Sequence, residues 1–288
     1  MSPYTKRGGV DGNALRHSID FVLENGVHGL VVLGSTGEFP YIRMKDKKKI
    51  IDVAVEHTKS RVPVVAGSSA FGTEDALELS RYSEDAGADG LMINVPIYYG
   101  LSDESVINHY EAIASKTSLS ILLYNFPATT HYEMKPEMVV RLAELERVVG
   151  IKESISDLGQ IEAVIKGVKK PFSTFLGGSS KLVDILKLGG AGCADPNADV
   201  LPEYVVAVYN AYRSGDLAKA EDAQRRLNSV AKILEPGRGA YHAAVKEAMK
   251  ARGIPIESIV KQPLPQLSGE QKKQIHHLVR RAGLSRNN

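Results

Sequence analysis

The chain has 288 residues, 43% of them hydrophobic and 24% charged, with a formal net charge of +2. That composition suits a globular protein with a large core, and it lacks the clustered basic character of a nucleic-acid binder. No run approaches the roughly 18 apolar residues of a membrane span, the opening Met1-Ser2-Pro3-Tyr4-Thr5-Lys6-Arg7 has no signal-peptide core, and a lone Cys193 excludes an internal disulfide, so a cytoplasmic location is expected.

Amphipathic stretches of helical period cover 11–24, 44–59, 73–85 and 103–116. Short runs at 30–33, 62–66, 91–93, 119–123, 148–151, 172–176 and 192–194 are apolar almost throughout, as strands buried on both faces should be. Asn25-Gly26-Val27-His28-Gly29-Leu30 resembles Ala86-Gly87-Ala88-Asp89-Gly90-Leu91, and Gly189-Gly190-Ala191-Gly192-Cys193-Ala194 is a looser third copy. Each reads as a helix end leading through glycine into a strand. Alternating strands and helices imply right-handed βαβ units and a parallel sheet. Seven such strands, with a stub near Ser2-Pro3-Tyr4 as a short first strand, favour a closed TIM (β/α)8 barrel over an open doubly wound sheet. No Gly-x-Gly-x-x-Gly turn follows the first strand.

From about Asp216 the pattern is helical only: 217–234, 241–251 and 268–282, the last opening with Ser268 and Gln271 at capping-box spacing. The predicted organisation is therefore an α/β barrel over 1–215 and a C-terminal helical extension over 216–288, packed on the barrel. Lys272, Lys273, Arg280, Arg281 and Arg286 at its basic end read as a solvated face.

A barrel keeps its active site at the C-terminal ends of its strands. There the sequence places Gly34-Ser35-Thr36-Gly37-Glu38, then Asn94 with Tyr98 and Tyr99, Tyr124-Asn125, Lys152-Glu153, Gly177-Gly178-Ser179-Ser180, and Asp195. Lys152 ends the apolar run Val148-Val149-Gly150-Ile151. An ammonium there must be paired, reach water or lose its proton, and the last makes a nucleophile. Taken singly, most lysines at strand ends are simply solvated, and a rim tyrosine such as Tyr124 usually has a satisfied hydroxyl. Together, an amine, phenols and a hydroxyl-rich glycine turn suit imine chemistry: the lysine attacks a ketone, a tyrosine moves protons and backbone N–H groups hold a carboxylate. The eight histidines show no metal-ligand spacing, no Gly-x-Ser-x-Gly elbow is present, and Cys193 reads as a small buried hydrophobe. No metal and no cofactor are expected.

Gly34-Ser35-Thr36-Gly37-Glu38, Tyr98-Tyr99, Tyr124-Asn125-Phe126-Pro127 and Gly150-Ile151-Lys152-Glu153, in this order, resemble the dihydrodipicolinate synthase / N-acetylneuraminate lyase family. The resemblance runs from about Ser2 to the C-terminus. It implies a class I pyruvate aldolase in which Lys152 forms a covalent Schiff base with a 2-oxo acid. It also implies that Tyr124 is the proton donor and acceptor, that Ser35 links two tyrosines in a relay, and that Tyr99 is lent by a neighbouring subunit. Thr36 matches the pyruvate-carboxylate contact and Ala194 a backbone carbonyl facing substrate. A homodimer or homotetramer follows from the lent tyrosine. The implied partners are a small 2-oxo acid and an aldehyde, with no nucleic acid or membrane.

Departures from the family pattern bear on substrate. Where the synthases usually carry an arginine for a second carboxylate, Pro127 is followed by Ala128 and Thr129. Loss of that charge-assisted fork argues against dihydrodipicolinate synthesis. Sialate lyases usually have acidic residues where this chain has Gly178-Ser179-Ser180. Gly37-Glu38-Phe39-Pro40 and Tyr124-Asn125-Phe126-Pro127-Ala128 look more like aldolases of 2-keto-3-deoxy sugar acids and 4-hydroxy-2-oxoglutarate, with Thr129 and Ser179 as substrate-selecting positions. The alternatives are 4-hydroxy-tetrahydrodipicolinate synthase, an imine-forming dehydratase or hydratase, and a non-catalytic barrel that binds a 2-oxo acid.

Overall fold

A computed structural model describes residues 1–285. In chain order the helices are α1 (Gly12–Glu24), α2 (Met44–Thr58), α3 (Thr73–Asp85), α4 (Asp103–Ala114), α5 (Pro127–Thr130), α6 (Pro136–Leu142), α7 (Leu158–Gly167), α8 (Leu182–Lys187), α9 (Asn197–Val200), α10 (Pro202–Arg213), α11 (Leu217–Val230), α12 (Tyr241–Ala251) and α13 (Gly269–Arg281). The strands are β1 (Leu30–Val32), β2 (Val64–Gly67), β3 (Gly90–Asn94), β4 (Ser120–Asn125), β5 (Val148–Glu153), β6 (Ser173–Leu176) and β7 (Gly192–Cys193). Strands that alternate with helices and give way to helices alone make an α/β barrel with a C-terminal helical extension. The chain divides into two compact units, Met1–Val62 with the described part of Pro196–Asn288, and Pro63–Asp195.

The repeated turns share one geometry. Gly26, Gly87 and Gly189 have φ of 81°, 85° and 93°. The amide that follows each glycine donates back to the carbonyl five residues earlier: Val27 to Val22, Ala88 to Ser83 and Gly190 to Ile185. This Schellman-type ending satisfies a helix carbonyl and turns the chain into the next strand, and glycine adopts it without a Cβ clash.

In the unit Pro63–Asp195, strands β2 to β7 are parallel and lie in sequence order. Leu91, Ile93, Ile121, Leu123, Val148 and Ile151 are fully buried, as strands covered on both faces require. Gly150 is there because β5 and β6 run so close: a Cβ on it would lie 2.4 Å from the Ser173 carbonyl oxygen.

In the other unit Asp11 caps α1 by accepting from the Ala14 amide at 3.0 Å. The helix buries Leu15, Ile19 and Val22 at helical spacing. At α13 the reciprocal Ser268–Gln271 capping box is formed. Lys273, Arg280 and Arg281 are exposed, and Arg286 lies outside the described residues. The stub expected near Ser2-Pro3-Tyr4 is one antiparallel bridge from Tyr4 to Val10, so seven strands form among the described residues. Pro3 has no amide hydrogen, which takes one ladder donor out of the segment. No helix among the described residues is long and apolar enough to cross a membrane.

Candidate active site

In the unit Pro63–Asp195 a one-residue shift between Ile121 and Leu122 aligns β4 with β5. Val149 is skipped and left 38% exposed. Without that shift Tyr124 would lie opposite Ile151. With it, Asn94, Tyr124, Lys152 and Phe175 form one row across four strands. Paired residues of parallel strands point to the same side, so this row shares a face. Lys152 is 8% exposed and Tyr124 is 3% exposed. The Lys152 Nζ lies 4.4 Å from the centre of the Tyr124 ring, and that ring stacks on Phe126 at 5.9 Å. An aromatic face against an ammonium is worth ~1 kcal/mol or more where water is excluded.

The next row, Asn125 and Glu153, points the other way and is equally buried. Asn125 Nδ2 donates to Glu153 Oε2 at 2.8 Å and to the Met134 carbonyl at 3.3 Å, while its Oδ1 accepts from the Met134 amide at 3.1 Å. Burial pushes the Glu153 carboxyl up to about 7; Asn125 pulls it down and the Glu133 charge adds to the rise.

Thr129 is exposed on α5, and its hydroxyl donates to the Phe126 carbonyl at 3.1 Å. Ser179 is 1% exposed and its amide donates to Asp195 Oδ2 at 2.7 Å. The Ala194 amide donates to the Leu176 carbonyl, so its position beyond β7 is set by β6. Burial and the Asp195 charge push the Cys193 thiol far up, with Lys152 opposing, so the sulfur stays protonated. Tyr99 is 77% exposed and packs edge-on against Tyr98 at 4.9 Å. Tyr98 itself holds φ of 111°, a strained backbone for a bulky residue.

The other unit holds Ser35 and Thr36 in a turn bracketed by two left-handed residues, Leu33 (φ 58°) and Glu38 (φ 64°). Such residues cost of order 1–3 kcal/mol each and persist where surroundings over-determine them. Here the surroundings are specific. Glu38 pairs with Lys246, both with fully buried side chains, and accepts from the Lys261 amide at 2.7 Å. Lys246 also donates to the Ile259 carbonyl at 2.7 Å and lies 4.2 Å from the Tyr4 ring centre. Burial pulls Lys246 down to about 8 against the pull of Glu38. Ser2 Oγ donates to the Gly37 carbonyl at 2.7 Å, and His242 bonds the Ser35 backbone.

Lys152 and Tyr124 are thus brought together, and Ser179 is tied to the segment after Ala194. Tyr99 is turned outward. Sequence reasoning placed Asn125, Glu153 and Asp195 at strand ends but gave none of them a role, and it did not single out Lys246 or His242. For Glu153 the signal was available: a carboxylate next in line after a buried lysine falls on the opposite strand face.

The dihydrodipicolinate synthetase family profile matches residues 1–282. The chain belongs to the dihydrodipicolinate synthetase family. As a member it is an enzyme, a lyase of the class I pyruvate aldolase type. A probable 2-dehydro-3-deoxy-D-pentonate aldolase, YjhH of Escherichia coli, is 33% identical across 98% of this chain and 95% of its own. A 4-hydroxy-tetrahydrodipicolinate synthase of Bacillus subtilis is also 33% identical, across 97% of this chain and 96% of its own. Among solved structures of the family, YagE of Escherichia coli in complex with pyruvate superposes with a TM-score of 0.93. It is 30% identical and covers 98% of this chain and 96% of its own.

Proposed function

We propose that this enzyme is a Schiff-base aldolase that cleaves or forms a 2-keto-3-deoxy sugar acid, with pyruvate as the imine-bound component on Lys152. The observation that carries the reading is the in-register contact of Lys152 with Tyr124, an amine and a phenol on one buried face. The neutral amine attacks the ketone carbon of the 2-oxo acid to give a carbinolamine, whose former ketone oxygen picks up protons and leaves as water, forming the imine. Tyr124 takes the proton of the C4 hydroxyl as the C3–C4 bond breaks. The electron pair moves into the enamine, the aldehyde leaves, and protonation and hydrolysis release pyruvate and free Lys152. Ser35 and Tyr99 relay the proton, with Tyr99 reaching a neighbouring subunit of a homodimer or homotetramer; its outward exposure suits that role. Thr36 and Ala194 contact the pyruvate part through their backbones.

Two features favour a hydroxylated, uncharged aldehyde component. Thr129 supplies a hydroxyl and no cation on the loop after Tyr124, and Ser179 and Ser180 add further small hydroxyls. The names of two relatives, a probable 2-dehydro-3-deoxy-D-pentonate aldolase for YjhH and a putative 2-dehydro-3-deoxy-D-gluconate aldolase for YagE, agree with that chemistry. The equal identity to the Bacillus subtilis protein favours a second reading, condensation of pyruvate with aspartate semialdehyde.

Borohydride with pyruvate should add mass at Lys152 and leave Lys152→Ala unmodified; labelling elsewhere removes the proposal. Pyruvate release from 2-keto-3-deoxypentonate and 2-keto-3-deoxygluconate, set against condensation with aspartate semialdehyde, separates the two readings.

A further inference from the structure

The face of β5 turned away from Lys152 carries a buried polar cluster for which the proposed reaction has no use. Glu153 is fully buried, and its Oε1 has no hydrogen-bond partner among the described residues. Its Oε2 is held by Asn125, whose amide group closes a two-way link with the Met134 backbone. Gln160 Nε2, from α7, donates to the same Met134 carbonyl at 3.3 Å. The segment between Asn125 and Met134 contains α5, and thus Thr129. Its near end is fixed by β4 and its far end by this cluster.

The cluster is costly for packing alone. An apolar pair in its place would leave no buried oxygen without a donor. What an apolar pair could not do is bond the backbone of a loop at both its N–H and its C=O. We propose that Glu153 is a positioning residue: through Asn125 it holds the Met134 end of the loop after Tyr124, and so sets where Thr129 stands for the aldehyde component. This rests on the reading of that loop as the one that meets the aldehyde. Imine formation at Lys152, on the opposite face, should depend little on Glu153.

The test compares Glu153→Gln, which keeps an acceptor for Asn125, with Glu153→Leu, which removes it. Condensation of pyruvate with glyceraldehyde or glycolaldehyde is followed alongside borohydride trapping of pyruvate. In Glu153→Leu the KM for the aldehyde should rise about tenfold, the size expected for one lost buried hydrogen bond. Trapping should stay within about twofold of wild type, a change too small to register as a lost contact. Glu153→Gln should restore the KM. An unchanged KM in Glu153→Leu, or trapping that falls in step with condensation, overturns the proposal. Failure of wild type to trap pyruvate removes the aldolase reading itself, without any Glu153 variant. If Glu153→Leu does not fold, hydrogen exchange in wild type decides: the Met134 amide should be protected at least about 10²-fold, and an unprotected amide overturns the clamp.

Discussion

Glu38 and Glu153 are both glutamates that follow a motif residue, and both are buried, but they meet burial in different ways. Glu38 has a full set of partners: the Lys246 ammonium on one oxygen and the Lys261 amide on the other. Glu153 has Asn125 on one oxygen and no partner among the described residues on the other. The first is an ion pair that holds a turn of left-handed residues; the second is a carboxyl pushed to about 7. A buried carboxylate needs a counter-charge and a donor on each oxygen, and where these are missing the proton supplies the difference.

The largest expected effect breaks the complete pair. Lys246→Met leaves Glu38 charged and uncompensated, and should cost about 3–5 kcal/mol in denaturant unfolding. Adding Glu38→Gln to that variant should recover much of the loss, since removing both charges of a buried pair costs far less than removing one. If the single and double variants are equally unstable, the ion pair is not what holds the turn.

The incomplete site should show itself in pH. Glu153 is raised from 4.5 to about 7 on folding, so its contribution to stability is complete below pH 4.5 and is lost as pH rises through about 7. Glu153→Gln has no proton to lose. It should gain on wild type by about 3 kcal/mol between pH 4.5 and pH 8.5, read from unfolding midpoints at the two values. Parallel pH profiles would show that Glu153 is ionised in the folded protein.

The face opposite Glu153 is tested by activity. Tyr124→Phe keeps the ring against Lys152 and removes the hydroxyl, and should lower aldol cleavage about 10²-fold or more while pyruvate trapping persists. An unchanged cleavage rate removes Tyr124 from proton transfer. The smallest effect is a control away from both carboxyls: Ser268→Ala opens the capping box of α13 and should cost about 1 kcal/mol with no change in pH dependence or turnover.

Much of the fold was legible because burial on both strand faces leaves continuous apolar runs. The run at 148–151 became β5, and the helix expected at 73–85 is α3 with the same ends. The glycine turns were legible because left-handed backbone selects one residue type. Boundaries slipped where sequence and hydrogen bonds disagree. The helix expected over 217–234 ends at Val230 and tightens into a 3-10 turn through Gly237, because Pro236 cannot donate. The stub expected as a first strand near Ser2-Pro3-Tyr4 reduces to a single bridge between Tyr4 and Val10, since Pro3 has no amide hydrogen to give a ladder.

Of the site, the chain order was enough to mark Lys152, Tyr124 and the Gly34–Glu38 stretch, because polar residues directly after apolar runs fall at strand ends whatever the register. Which of them meet was a matter of register. The unpaired Val149 carries no signal in sequence, yet it is what sets Tyr124 against Lys152. Partners such as Lys246, 208 residues from Glu38, were also beyond reach. Local composition reports whether a side chain will be buried, but the identity of its partner depends on chain closure over long separations. That is where a buried charge is either matched or left to hold its proton.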